Sequence, residues 1–133
     1  MKSLRRFDYL LTAVICAAVL TACGDNTTHN TTHPSGFSKD AFDKIDNGIA
    51  RAHVVEMLGT PFEVYSHVDF GTSGGSNNYP GEKTKEDFPA AESIRFALVY
   101  SRPRDQKADY VVYEVFIDPA TNLVSGKQSY ETD

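Results

Sequence analysis

The stretch Phe42–Pro61 (FDKIDNGIARAHVVEMLGTP) constrains the fold most, because it predicts two short helices with a stop signal after each. In the first helix, Phe42 and Ile45 follow Phe37 and Ala41 at the i, i+3, i+4 spacing of an apolar helical stripe. Gly48 then stands where a helix needs a residue of left-handed conformation to close. We therefore expect the first helix to end before Gly48.

The second helix is predicted from the same spacing, at Val54, Met57 and Leu58. Gly59 closes it, and Pro61 prevents its continuation. A helix of about eight residues is marginal in water by itself. Its apolar stripe must therefore pack on another element, and the only candidate is the β-rich sequence that follows.

Four strands are predicted after the helices. Residues Phe62–Phe70 and Ser93–Tyr100 alternate between apolar and polar positions, as half-buried strands do. Tyr110–Ile117 is apolar on both faces, which is typical of a central strand, and the more polar Leu123–Tyr130 reads as an edge strand. The sequence therefore predicts an α+β fold in which two short N-terminal helices pack on one face of a three- to four-stranded antiparallel sheet, a two-layer sandwich.

The segment 71–91 (GTSGGSNNYPGEKTKEDFPAA) is predicted to be a long connection. Loops beyond about 12–15 residues in small domains tend to be functional or disordered. Tyr79 and Phe88 are aromatic residues in an otherwise polar segment. Either they fold back onto the domain, or they contact a partner, and both interpretations stay open at this point.

The N-terminus has the pattern of a bacterial lipoprotein signal. Three basic residues precede an apolar run of about twelve residues, the length of a signal-peptide core. The run ends in Leu20-Thr21-Ala22-Cys23, the order of a lipobox, in which the cysteine thiol is acylated. An ordinary signal peptide or a short membrane anchor is the alternative. We predict a lipoprotein signal peptide at 1–22, a lipidated flexible tether at 23–36 and a folded domain at 37–133.

Composition limits the classes of function. The net charge is −5, and removal of residues 1–22 leaves 10 basic and 17 acidic residues, a net charge of −7. Such a chain is not expected to bind nucleic acid. Cys16 leaves with the signal peptide and Cys23 is used by lipid, so no disulfide and no cysteine nucleophile is expected in the domain.

No catalytic or metal-binding pattern emerges from the remaining residues. Ser66, His67 and Asp69 contain the residue types of a triad, but neighbours on a strand point to opposite faces. His29 and His33 have i, i+4 spacing, yet the threonines between them and Pro34 after them favour a solvated linker. We therefore expect no enzyme activity, no cofactor and no metal site.

The pattern Phe42-x-x-Ile45-x-x-Gly48-Ile49, followed by Val54, Met57-Leu58-Gly59 and Pro61, resembles the opening helices of the SmpA/OmlA (BamE-like) lipoproteins. These are small accessory subunits of the bacterial outer-membrane β-barrel assembly machine. The resemblance implies a helix–helix–sheet fold, three acyl chains on Cys23 and, because Gly24 rather than Asp follows the cysteine, an outer-membrane location facing the periplasm. The chain departs from the family at Ala50, where a capping Thr or Ser is usual, and at His53, where an acidic residue is common.

These observations together predict a non-catalytic outer-membrane lipoprotein, an accessory or scaffold subunit related to β-barrel assembly. Its expected partners are membrane lipid, through acylated Cys23, and envelope proteins that include the assembly machine. The alternative is a periplasm-facing binding or inhibitory lipoprotein with another envelope partner, which would use an open sheet face or the segment 71–91.

Overall fold

A computed structural model of the chain describes residues 30–106 and 109–133. The predicted signal peptide, Cys23 and His29 lie outside the described residues. The described chain contains two α-helices and seven strands in the order β1 Thr31–Thr32, α1 Lys39–Asp43, α2 Arg51–Leu58, β2 Glu63–Asp69, β3 Ser76–Pro80, β4 Ser93–Val99, β5 Arg102–Pro103, β6 Val111–Asp118 and β7 Leu123–Glu131. A short 3-10 helix at Gly71–Ser73 joins β2 to β3. Within the two described ranges, no helix combines the length and apolar character needed to cross a bilayer.

The strands form two antiparallel sheets. The main sheet has five strands in the order β3-β2-β4-β6-β7, and β1 pairs with β5 in a second sheet of two strands. A bulge between Phe116 and Ile117 shifts the register of β6 against β7. β3 and β7 are therefore the two edges of the main sheet.

The predicted fold class is wrong. We expected two helices on one face of a three- to four-stranded sheet, whereas the structure is mostly sheet, with five strands in the main sheet and a second small sheet. The helices are short, with five residues in α1 and eight in α2. The chain is a mixed α+β protein, but not the two-layer sandwich that the sequence predicted.

The error lies mainly in β3, which sits inside the segment predicted to be a loop. Its sequence, SNNYP, lacks both the alternation and the β-branched residues that identify strands. Four of its five residues are exposed. Pairing with β2, from Tyr65 opposite Pro80 to Asp69 opposite Ser76, makes this segment a strand despite its composition.

The core lies on one face of the main sheet, which we call the inner face. The helices contribute Phe42, Val54 and Leu58, and the connection after α1 contributes Ile45, all at most 3% exposed. They pack with buried sheet residues that share the inner face, namely Phe96, Leu98, Tyr100, Val115, Ile117 and Val124. Gly59 has a φ of 84° and ends α2, as predicted. Gly48 has a φ of 90° but lies in a turn, because α1 already ends at Asp43 with Lys44 as its C-cap.

Residues 81–92 also cross the inner face, where Gly81 and Lys83 bond to the buried Ser66 hydroxyl. After β3, the Gly81 amide donates to the Val64 carbonyl oxygen at 3.0 Å, beside the start of β2. At the other end of this crossing, the Glu92 amide donates to the Asp69 carbonyl oxygen at 2.7 Å, beside the end of β2. The connection therefore runs the length of β2, and a non-helical segment forms much of the second layer.

Residues 30–36, which the sequence placed in the tether, contact the domain. Thr31 is 7% exposed, and its hydroxyl accepts a 2.9 Å hydrogen bond from the Val111 amide. The His33 ring stacks on Phe37 with 4.3 Å between centroids, and its Nδ1 lies 2.8 Å from the Tyr100 carbonyl oxygen. These contacts fix residues 30–36 against the domain, although this polar segment has little apolar surface to bury.

Candidate binding surface

The face of the main sheet opposite the core, which we call the outer face, is the candidate functional surface. Side chains alternate along each strand, so the strand register assigns residues to this face. Its central rows pair Tyr65 with Ala97, Ala97 with Phe116, and Glu114 with Gln128. In the described part of the chain, neither helix contributes a hydrogen bond or a ring contact to it.

A buried carboxylate lies near the centre of the outer face. Glu114 is 3% exposed, and both of its oxygens accept hydrogen bonds. The Tyr65 hydroxyl donates to Oε1 and the Gln128 Nε2 donates to Oε2, each at 2.6 Å. The network joins strands β2, β6 and β7, because the Tyr65 side chain reaches across β4 to Glu114.

A second side chain also lies flat across the outer face. The guanidinium carbon of Arg95 is 4.1 Å from the centroid of the Phe116 ring, a cation–π contact. Phe116 and Val112 are each 4% exposed although neither belongs to the main core cluster. The long side chains of this face therefore cover its own apolar residues, which lets the sheet meet water without a helix over it.

The buried carboxylate changes the acid–base behaviour of its neighbours. Burial, the hydrogen bond to Glu114 and the charge of that carboxylate raise the pKa of Tyr65 well above its ordinary value. Burial and the Glu114 charge also raise the pKa of Tyr130, which stands beside this row and is 47% exposed. Both phenols therefore stay neutral further into alkaline pH than an ordinary tyrosine, and the neutral Tyr65 hydroxyl donates to Glu114.

The outer face is acidic. By strand register it carries four carboxylates, from Glu63, Asp69, Glu114 and Asp118. Arg95 is the one Lys or Arg that the register places on this face among the described residues, and it is already seated on Phe116. The surface therefore combines tyrosine side chains with an excess of negative charge.

The two residues proposed as partner contacts, Tyr79 and Phe88, lie on the other side of the sheet. Their ring centroids are 4.4 Å apart, and Phe88 also meets Phe70 edge-on at 5.9 Å. All three are half-buried. The structure thus brings the two predicted residues together against the domain, and contact with a partner stays a prediction.

The residues that resemble a catalytic triad are separated by the fold. The Ser66 hydroxyl faces inward, donates to the Gly81 carbonyl oxygen at 2.8 Å and accepts from the Lys83 amide at 2.7 Å. His67 points to the outer face, where its Nδ1 lies 2.8 Å from Asn78 Oδ1. Ser66 therefore fixes the crossing segment, which explains a serine in the apolar row of β2. Within residues 30–106 and 109–133, no cluster of three or more metal-ligating side chains occurs.

A cleft of about 630 Å³ opens at one end of the sheet. It is lined by segments 83–85, 92–95 and 118–120 together with Ser125. The cleft lies where β4 extends past β6, since β6 pairs with β4 only from Phe96 onward. Its walls carry both lysines and carboxylates, and this mixture identifies no ligand class.

Sequence reasoning missed Glu114, although a signal was present. A single glutamate interrupts the apolar run VVYEVFI of the predicted central strand. A charged residue in such a run requires partners when buried. Its partners, Tyr65 and Gln128, come from segments 49 and 14 residues away, so only the folded sheet identifies them.

Comparison of the chain with family models, with curated proteins and with solved structures found no match, so the function must be inferred from its own residues and geometry.

Proposed function

We propose that this chain is a non-catalytic lipoprotein that binds other envelope proteins as an accessory or scaffold subunit. In this proposal, acylated Cys23 anchors it to the periplasmic side of the bacterial outer membrane. The lipobox Leu20-Thr21-Ala22-Cys23 supports the anchor. A single acyl chain holds a protein only marginally, whereas two or more give stable attachment.

The outer face of the main sheet is the observation that carries the binding role. It presents Tyr65, Tyr130, Gln128 and a buried Glu114 on a surface to which neither α1 nor α2 contributes a described hydrogen bond or ring contact. Tyrosine is enriched at protein interfaces because its ring buries apolar area while its hydroxyl keeps a hydrogen bond. Catalysis forms no part of the proposal, since Ser66 and His67 lie on opposite faces.

The link to β-barrel assembly rests on the resemblance of residues 42–61 to the SmpA/OmlA (BamE-like) lipoproteins. The main sheet differs from the architecture which that resemblance implied, because β3 adds an edge strand and residues 81–92 cross the inner face at Ser66. This difference favours keeping a second candidate function. In it, the same lipid-anchored protein binds or inhibits another periplasmic partner through the outer face.

Affinity purification of the lipidated, full-length protein from crosslinked membranes tests the proposal. Co-isolation of the β-barrel assembly subunits is the expected result, and recovery of one soluble periplasmic enzyme instead supports the second candidate. A Cys23→Ala variant is the control, because loss of the acyl chains should release the protein from the membrane. If the mature N-terminus by intact mass is unacylated, the anchoring proposal is wrong.

Sorting gives a separate test of location. A Gly24→Asp variant places an aspartate directly after the acylated cysteine, which in lipoprotein sorting retains the protein in the inner membrane. We expect density fractionation to move this variant from outer to inner membrane, and unchanged fractionation contradicts the outer-membrane assignment.

A further inference from the structure

Glu114 is a buried charge whose described partners are both neutral. Its carboxylate accepts from a phenol and an amide, at 2.6 Å each, and the three ion pairs of the described residues do not include it. A buried carboxylate is costly unless a cation or several hydrogen bonds compensate it. The site therefore holds negative charge that a cation from outside the domain would complement.

The described residues supply no such cation from the outer face itself. Arg95 is occupied by the Phe116 ring, at 4.1 Å. Lys127 lies in the inner row opposite Val115, and its Nζ donates to the carbonyl oxygens of Phe42 and Asp43 at 2.9 and 2.7 Å. The other carboxylates that the register places on this face are those of Glu63, Asp69 and Asp118, so the face as a whole has an excess of negative charge.

The carboxylate can be reached by moving one exposed side chain. Gln128 is exposed and occupies Oε2 of Glu114 through its amide nitrogen, whereas Tyr65 holds Oε1 from the opposite side. A guanidinium or ammonium group in place of the Gln128 amide would make a charge-assisted hydrogen bond, roughly twice as strong as a neutral one. Tyr130, 47% exposed in the next row, offers a ring beside the stem of the incoming side chain.

We propose that the outer face binds a basic protein surface by receiving one of its Arg or Lys side chains at Glu114, where the cation replaces the Gln128 amide. The inference rests on the proposed protein-binding function and names the chemistry of the partner. Charge complementarity selects this occupant, because the face carries four carboxylates against one guanidinium that is already engaged.

The test measures binding of a labelled short peptide of alternating arginine and glycine to the full-length, lipidated protein in neutral detergent, by fluorescence anisotropy. The same peptide with citrulline in place of arginine keeps the shape and removes the charge. Glu114→Gln should weaken binding of the arginine peptide by about tenfold or more. Asp43→Asn is the matched control: it removes one exposed carboxylate of α1 and should leave the affinity within about twofold, as a surface charge does.

A variant that opens the site separates recognition from loss of fold. Gln128→Ala removes the amide that the cation must displace, so we expect unchanged or tighter binding, and Tyr130→Ala should weaken it. Circular dichroism of each variant confirms that it is folded. Equal weakening by Glu114→Gln and Asp43→Asn, equal binding of the citrulline peptide, or loss of binding in Gln128→Ala would each overturn the proposal.

Affinity purification from membranes distinguishes a failure of the Glu114 cation site from a failure of the proposed accessory function. If the same envelope proteins co-purify with the parent and with Glu114→Gln, the proposed function stands and the role of Glu114 is wrong. If no envelope protein co-purifies with the parent while the arginine peptide binds at Glu114, the cation site stands and the accessory function fails.

Discussion

Removal of one hydroxyl group should have opposite effects on the two faces of the main sheet. Tyr65→Phe deletes the donor to Oε1 of the buried Glu114, while Tyr100→Phe deletes a hydroxyl that is fully buried and has no hydrogen-bond partner among the described residues. The two substitutions are chemically identical. Only the environment of the hydroxyl differs, so the pair isolates the energetic role of the network.

The magnitudes follow from the contacts. A hydrogen bond to a charged group contributes about 1.5–3 kcal/mol, so Tyr65→Phe should lower the free energy of unfolding by that amount. An unsatisfied buried hydroxyl costs about 1–3 kcal/mol, so Tyr100→Phe should raise the free energy of unfolding by about 1 kcal/mol. Burial also raises the pKa of Tyr100 to about 12, which reflects the same isolation from water.

Urea unfolding and thermal melts of the full-length protein, followed by circular dichroism, measure both effects. A change of 1 kcal/mol shifts the Tm of a domain of this size by roughly 4–8 °C. We therefore expect a clear decrease for Tyr65→Phe and a small increase for Tyr100→Phe. Shifts of the same sign and size in the two variants would refute the assignment of the buried network and of the isolated hydroxyl.

Three further predictions concern pH and packing. Folding raises the pKa of Tyr65, so its contribution to stability is complete below the unfolded pKa of about 10 and falls as pH rises beyond that value. Urea unfolding across alkaline pH should therefore show a shallower decline of the free energy of unfolding in Tyr65→Phe than in the parent. Leu58→Asp places a charge at a position that is 0% exposed and should abolish the folded circular dichroism spectrum, since about 4–5 kcal/mol or more is lost, whereas Leu123→Asp, at 36% exposure, should leave a cooperative melt. Gly59→Ala should lower the free energy of unfolding in urea by more than about 2 kcal/mol, and Gly48→Ala by about 1–2 kcal/mol, because both glycines have positive φ but only at Gly59 would an added Cβ clash with a backbone oxygen, that of Ser35. Equal losses in the two variants would contradict this steric reason.

Local patterns in the sequence identified the elements whose signals are local. Gly59 ends α2 because few other residues adopt positive φ, and this requirement is visible without a structure. Gly48 also has a positive φ, but α1 already ends at Asp43 and Gly48 lies in the turn that follows. Strands β2, β4, β6 and β7 lie within or near the predicted ranges, since a half-buried strand imposes alternation on its own residues.

Tertiary structure decided the features whose causes are distant in sequence. β3 is polar and becomes a strand only by pairing with β2, and Ser66 is buried in an apolar row because residues 81–83 come to bond with it. The Glu114 site likewise needs Tyr65, 49 residues away, and no pattern along the chain reveals such a meeting. The sequence by itself determined where α2 ends and where apolar strands run, because those depend on each residue's own conformation and polarity. The number of strands, the second layer and the candidate binding surface depend on which segments meet, and only the folded chain specifies that.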